Sequence, residues 1–211
     1  MDKKEIQKIY SILKKKYHHP EAFLLSENIF ELLVAVILSA QCTDERVNKV
    51  TKVIFKKYKS IKDYAGAKQE VFEQDIRSTG FYRNKAKNII KTANIINDSF
   101  NGKVPCTMEE LVILPGVARK TSNIILYHGY GKNEGIAVDT HVKRVCFRLG
   151  LTKNTDPNKI EQDLIKIIPQ NDWGDFTNII IGHGRAICDA RKPLCVECQV
   201  VGFCEKNGVN S

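Results

Sequence analysis

No segment of the 211-residue chain approaches the roughly 18 consecutive apolar residues of a membrane-spanning helix, so a soluble protein with no membrane partner is expected. The opening Met1-Asp2-Lys3-Lys4-Glu5-Ile6 has neither the apolar core nor the small-residue cleavage site of a secretory signal. No targeting signal is seen, so a cytoplasmic, nucleoid-associated location is expected if the source is prokaryotic, and disulfides are not expected. Repeats and low-complexity tracts are missing, excluding a repeat array or a long disordered tract. No run alternates convincingly as a strand does. A second C-x2-C pair is also missing, whereas structural zinc sites commonly use two short Cys/His knuckles.

What is present is a globular composition, 43% hydrophobic and 27% charged, sufficient for one core or two small ones sharing an interface. Helical periodicity dominates. Leu32 to Leu38, inside Ile29 to Ala40, has the length of a buried helix and ends in Gln41-Cys42-Thr43-Asp44. Ala86, Ile89, Ile90, Ala93 and Ile96 share one helical face, as do Ile160, Leu164, Ile167 and Ile168. Asp156-Pro157 supplies an N-cap followed by proline at the first helical position, and Pro169 closes that helix. Another helix follows through Trp173, Phe176, Ile179 and Ile180. The polar loop Lys132-Asn133-Glu134, between Gly131 and Gly135, is the best internal candidate for a domain crossing.

A net charge of +9 points to a polyanionic partner, although lysine runs such as Lys14-Lys15-Lys16 also read as solvated helix faces. Four of the seven cysteines, Cys188, Cys195, Cys198 and Cys204, fall at the spacing C-x6-C-x2-C-x5-C. Thiolates so close in sequence form a ligand set, and a [4Fe-4S] cluster is favoured over zinc. Cys42, Cys106 and Cys146 sit singly and read as buried or inert thiols.

Thr107-Met108-Glu109-Glu110 reads as a capping box opening a short helix that turns leucines inward until Pro115-Gly116 stops it. A second helix starts at once from Ala118-Arg119-Lys120-Thr121. The tight hairpin between them leaves backbone N–H groups at a positive helix end, where a phosphate oxygen fits, and Gly116 permits the close approach. A plain helix corner is the alternative.

Leu114-Pro115-Gly116-Val117-Ala118-Arg119-Lys120-Thr121 resembles the helix-hairpin-helix of the endonuclease III family of DNA glycosylases. Val138-Asp139-Thr140-His141-Val142 is similar to that family's aspartate motif, and Cys188 to Cys204 matches its iron–sulfur loop. Leu38-Ser39-Ala40-Gln41 and Gly80-Phe81-Tyr82-Arg83-Asn84-Lys85-Ala86 are similar to its two lesion-probing segments. The likeness spans nearly the whole chain in the family's order. It implies an all-α, two-lobed protein: a six-helix domain over 22–133, and a discontinuous four-helix iron–sulfur domain from 1–21 and 134–211. DNA is then expected along the groove between lobes. It also implies a monomer that removes oxidised pyrimidines from duplex DNA in base excision repair and nicks the abasic site by β-elimination.

The resemblance assigns roles residue by residue. Lys120 is the amine that attacks the sugar and holds it as a Schiff base. An ordinary lysine, with a pKa about 10.4, must drop by a few units to react. A helix N-terminus contributes about 0.3–1 kcal/mol, less than one unit, so burial, with like charge from Arg119, is expected to supply the rest. Asp139, also a good N-cap, assists proton transfer or stabilises charge on the sugar as the base leaves. Gln41 bonds the orphaned partner base while Phe81 wedges between base steps. Gly116, Ala118, Arg119 and Thr121 line the phosphate-gripping hairpin. His141, similar to the family's histidine beside the aspartate, is counted with the DNA-binding residues, as a hydrogen-bonding residue rather than a ligand. The cluster acts as a clasp presenting Arg191 and Lys192 to phosphates.

Two positions depart from the family pattern. Ala118 stands where a second hairpin glycine is usual and is expected to be strained if that position needs a positive φ. Phe81 replaces a common leucine and makes a larger, flatter wedge. Two rivals remain at this stage: an adenine-mismatch glycosylase, which generally lacks the hairpin lysine, and a non-catalytic DNA-binding or redox-sensing iron–sulfur protein.

Overall fold

The computed structural model describes residues 2–17 and 24–209, and every regular element among them is helical. Eleven α-helices occur among the described residues: α1 (Lys3–Tyr17), α2 (Ile29–Ser39), α3 (Asp44–Lys57), α4 (Ile61–Ala65), α5 (Gln69–Asp75), α6 (Tyr82–Ser99), α7 (Met108–Val112), α8 (Arg119–Tyr130), α9 (Thr140–Leu149), α10 (Pro157–Ile167) and α11 (Trp173–Ala186). The chain divides into two compact units, Ala22–Lys132 and the pair Met1–Glu21 with Asn133–Ser211. No helix among the described residues is long and apolar enough to cross a membrane.

The first unit is built around α2. Its apolar residues run all round the helix, which is the pattern of a buried element, and Leu33 to Leu38 are buried without a break. Asn28 caps it, the side-chain oxygen accepting from the Glu31 amide at 2.9 Å. Around it pack α3, α6 and α8, with α4 and α5 laid on α6. Phe30, Tyr58, Tyr64 and Phe72 join in an aromatic cluster with ring centroids 5.1–5.7 Å apart. Among the described residues this unit holds seven α-helices and the 3₁₀ turn Arg77–Thr79. Single-turn pieces such as α4, five residues long, are too short for periodicity to register.

The second unit packs α1 and α9 against α11. Ile6, Ile9, Tyr10 and Leu13 face inward from α1, and Tyr10 meets Phe176 with centroids 5.8 Å apart. Lys14 closes this seam with an ion pair to Asp172 at 2.5 Å. Gly184 of α11 lies against α9: an added Cβ there would lie 3.0 Å from His141 Nδ1 and 3.2 Å from Arg144 Nη2. Asp156 caps α10 with Pro157 in the first turn, as the sequence requires.

Candidate active site and cysteine loop

In the first unit α7 and α8 form the hairpin. Val117 N–H donates to Leu114 O at 3.0 Å, closing a turn with Pro115 at its second position and Gly116 at its third, where φ is +81°. A positive φ at that place is the demand of a type II turn, which glycine meets without strain. Behind the turn stands α6. Thr92 Oγ1 donates to Pro115 O at 3.0 Å, and a Cβ on Gly116 would lie 3.0 Å from Asn88 Nδ2. Leu111 and Leu114 are buried as expected. The capping box is half formed: Thr107 accepts from the Glu110 amide, but the Glu110 carboxylate takes the Thr107 hydroxyl at 2.9 Å.

Ala118 is the N-cap of α8 with φ −98° and ψ 170°, so the anticipated strain is absent. Extended backbone suits any residue, and the position requiring a positive φ is Gly116 alone. An alanine cap has no side-chain acceptor, so the amides two and three residues on, at Lys120 and Thr121, receive no cap from it. Lys120 is exposed in the first turn of α8, with Arg119 and Thr121 half-buried beside it. The burial expected to activate Lys120 is therefore not a property of the free chain. An N-terminal helical turn at a hairpin tip projects its side chains outward.

Gln41 and Phe81 are both exposed, at the ends of two loops of the same unit, and both adopt left-handed backbone, with φ of +52° and +47°. Lys85, which sequence reasoning passed over, joins those loops. Its side chain is buried, and Nζ donates to Leu38 O and to Thr79 O, each at 2.8 Å. Burial pushes its pKa down, opposed by the nearby Cys42 thiol.

In the second unit Asp139 is the N-cap of α9, its Oδ1 accepting from the Val142 amide at 2.7 Å. His141, in the first turn, lies 3.2 Å from Arg144 Nη2, and Arg144 donates onward to Gly184 O and Cys188 O. One turn further, buried Arg148 donates to Asp189 O at 2.6 Å and Ala190 O at 2.9 Å, and reaches Cys188 Sγ at 3.4 Å. Two arginines of α9 thus shape the start of the cysteine loop. Neither was singled out from the sequence. Arg191 and Lys192 are exposed on the same loop, their amides turned onto the Asp189 carboxylate at 2.8 and 3.1 Å, which holds that carboxyl below its ordinary range.

Cys188, Cys195, Cys198 and Cys204 line one pocket together with Arg148 and His183. They do not form a tight coordination shell, since among the described residues no three His, Cys, Asp or Glu side chains are grouped to hold one ion. Neutral thiols have no cause to crowd a point; the Cys204 thiol lies 3.2 Å from Arg148 O. Burial pushes the Cys198 and Cys204 thiols up, and the charges of neighbouring cysteines push the same way. A donor set whose anions repel one another suits a bound group carrying positive charge. His183, 3.8 Å from Cys198 Sγ, is held neutral by burial and then by Lys16, its pKa down to about 4. Of the other cysteines, Cys146 is buried and Cys42 and Cys106 are half-buried.

Residues 34–170 match the model of the HhH-GPD superfamily of base excision DNA repair proteins. The endonuclease III of Synechocystis sp. is 54% identical over 202 residues, 96% of this chain and 92% of the relative. That of Bacillus subtilis is 44% identical over 204 residues, 96% and 93% of the two chains. A solved structure of a trapped endonuclease III–DNA covalent intermediate, an estranged-adenine complex, is 43% identical and superposes with a TM-score of 0.94, covering 98% of this chain and 97% of that one. With the hairpin, the capped aspartate and the cysteine loop in one all-helical chain, these likenesses make it a member of the endonuclease III family, within the HhH-GPD superfamily.

Proposed function

We propose that the chain is a DNA glycosylase with abasic-site lyase activity, removing oxidised pyrimidines from duplex DNA as a monomer. The observation that carries this reading is Lys120: an exposed amine in the first turn of α8, beside amides that Ala118 leaves uncapped. The amides at the positive helix end hold a backbone phosphate, and Arg119 and Thr121 flank it. That contact sets the sugar against the amine. Its attack on C1′ forms the C1′–N bond as the glycosidic bond breaks and the damaged base departs with a proton. Opening of the sugar gives the Schiff base, and loss of a C2′ proton then expels the 3′ phosphate. Because Lys120 is exposed in the free chain, exclusion of water around it comes with bound DNA.

Asp139 assists the departure of the base, either in proton transfer or by stabilising charge on the sugar. Its N-cap bond to the Val142 amide holds one carboxylate oxygen, so the other is the one available. His141 fixes the same turn. Gln41 and Phe81 enter the duplex where the base leaves, Gln41 facing the orphaned partner and Phe81 wedging between steps.

Cys188, Cys195, Cys198 and Cys204 are proposed to hold a [4Fe-4S] cluster. Four cysteines around one pocket, with anions that repel one another, fit that group. When bound it supplies a covalent clasp for the loop. This chain's own residues do the rest: Arg144 and Arg148 hold the loop carbonyls, and Arg191 and Lys192 meet phosphates.

A duplex panel tests the reading. The expected products are a released oxidised pyrimidine and a strand nicked on the 3′ side of the abasic sugar. Release of undamaged adenine from mismatches would favour the adenine-mismatch enzyme, and binding without any product the non-catalytic protein.

A further inference from the structure

We propose that Lys85 is a positioning residue that makes Gln41 and Phe81 act as one two-pronged probe of the duplex. The proposal rests on the reading that these two residues enter DNA.

Lys85 is the fourth residue of α6 and only 5% exposed. Two effects oppose an ammonium there: removal from water, and the positive end of the helix dipole. What offsets them is a pair of 2.8 Å hydrogen bonds to Leu38 O and Thr79 O. Leu38 lies in the last turn of α2, and Thr79 ends the 3₁₀ turn Arg77–Thr79. Carbonyls at helix C-termini lack intrahelical partners and sit at the negative dipole end, so both welcome a cation. One amine thereby satisfies the ends of two elements 41 residues apart along the chain, Leu38 and Thr79.

Each anchor stands immediately before a probing tip. Gln41 follows Leu38 by three residues, and Phe81 follows Thr79 by two. Both tips take left-handed backbone without being glycine, at φ +52° and +47°. Such conformations persist where surrounding structure over-determines them, and here the over-determining contact is shared. Phe81 is 64% exposed, so it is presented rather than packed. A displacement of either loop moves the ammonium that holds the other. Were Lys85 only a structural strut, its loss would weaken the fold while the two tips stayed energetically independent with or without it.

A double-mutant cycle separates these cases. Gln41→Ala, Phe81→Ala and the double variant are compared with Lys85 intact and again with Lys85→Met, using affinity for abasic-analogue duplex carrying 2-aminopurine opposite the lesion, whose fluorescence reports insertion beside the orphaned base. With Lys85 present, the double variant is expected to lose about fivefold less affinity than the product of the single losses, the signature of coupled residues. With Lys85→Met the single losses should multiply. Coupling that survives Lys85→Met in a protein of unchanged helical content overturns the proposal. Wild-type behaviour of both Gln41→Ala and Phe81→Ala overturns the underlying reading, and the proposal with it. If Lys85→Met does not fold, the ¹⁵N resonance of the Lys85 ammonium in the unaltered protein decides. It should shift when abasic-analogue duplex binds, and fail to do so in the Gln41→Ala/Phe81→Ala protein; a resonance indifferent to DNA overturns the proposal.

Discussion

Substituting Ala118 by aspartate should make the protein more stable and worse at holding DNA. The backbone at 118 already has the extended geometry of an N-cap, and α8 lacks a side-chain cap there. A carboxylate at this position accepts from the Lys120 or Thr121 amide without rearrangement. Replacing alanine by a good cap gains typically about 1 kcal/mol, and a negative charge in the first turn adds about 0.3–1 kcal/mol. For a chain of this size each kcal/mol corresponds to roughly 2–4 °C in Tm, so a rise of several degrees is expected. The same carboxylate occupies the amides assigned to a phosphate and repels it. Loss of one charge-assisted hydrogen bond, about 1.5–3 kcal/mol, lowers affinity roughly tenfold or more. Ala118→Ser separates the two causes, since it caps without charge and should show the Tm gain with a smaller affinity loss. Thermal denaturation and titration of abasic-analogue duplex at fixed salt read both quantities. A higher Tm with unchanged affinity would refute the claim that these amides grip phosphate.

Gly116→Ala should cost about 1–2 kcal/mol, because it forces a Cβ into left-handed backbone and 3.0 Å from Asn88 Nδ2; urea unfolding measures this, and a neutral result contradicts the turn assignment. Arg148→Met removes the donors to Asp189, Ala190 and Cys188. A hydrogen bond from a charged donor contributes about 1.5–3 kcal/mol, so iron per chain and visible absorbance should fall with Tm, and full iron content would count against the role given to α9. Asp163 accepts from Thr152 Oγ1 at 2.6 Å and Asn154 Nδ2 at 2.7 Å, bonds that hold its carboxyl below the ordinary range. Its contribution is present above the unfolded value near 3.9 and is lost as pH falls through the lower folded value. Asp163→Asn should therefore lower Tm at neutral pH by a margin that closes in acid; a margin independent of pH refutes this.

Local signals were the legible ones. The apolar run at Leu32 to Leu38 announces a buried α2, Asp156-Pro157 announces the start of α10, and Pro115-Gly116 announces the hairpin, because each depends on residues within one or two turns. Lys85 enters the sequence reading only as a member of the Gly80 to Ala86 segment, with no role of its own. Its partner carbonyl on Leu38 is 47 residues away, a separation that no periodicity encodes. Arg148 reaches Asp189 across 41 residues, and Thr92 reaches Pro115 across 23. Strain at Ala118 was foreseen only if that position took a positive φ, and the condition is not met because the positive φ falls on Gly116; sequence marks a turn more readily than it divides the turn's angles. The exposure of Lys120 was equally hidden, because a hairpin tip and a cleft wall have similar sequences.

The central claim is that the Lys120 amine becomes covalently joined to deoxyribose. Borohydride trapping on duplex DNA containing an abasic site measures that bond directly. The native protein should give a protein–DNA adduct that peptide mapping places at Lys120, and Lys120→Gln should give none while still binding the duplex. An adduct whose yield is unchanged by Lys120→Gln, or a native protein that binds but never traps where a positive control does, contradicts the account.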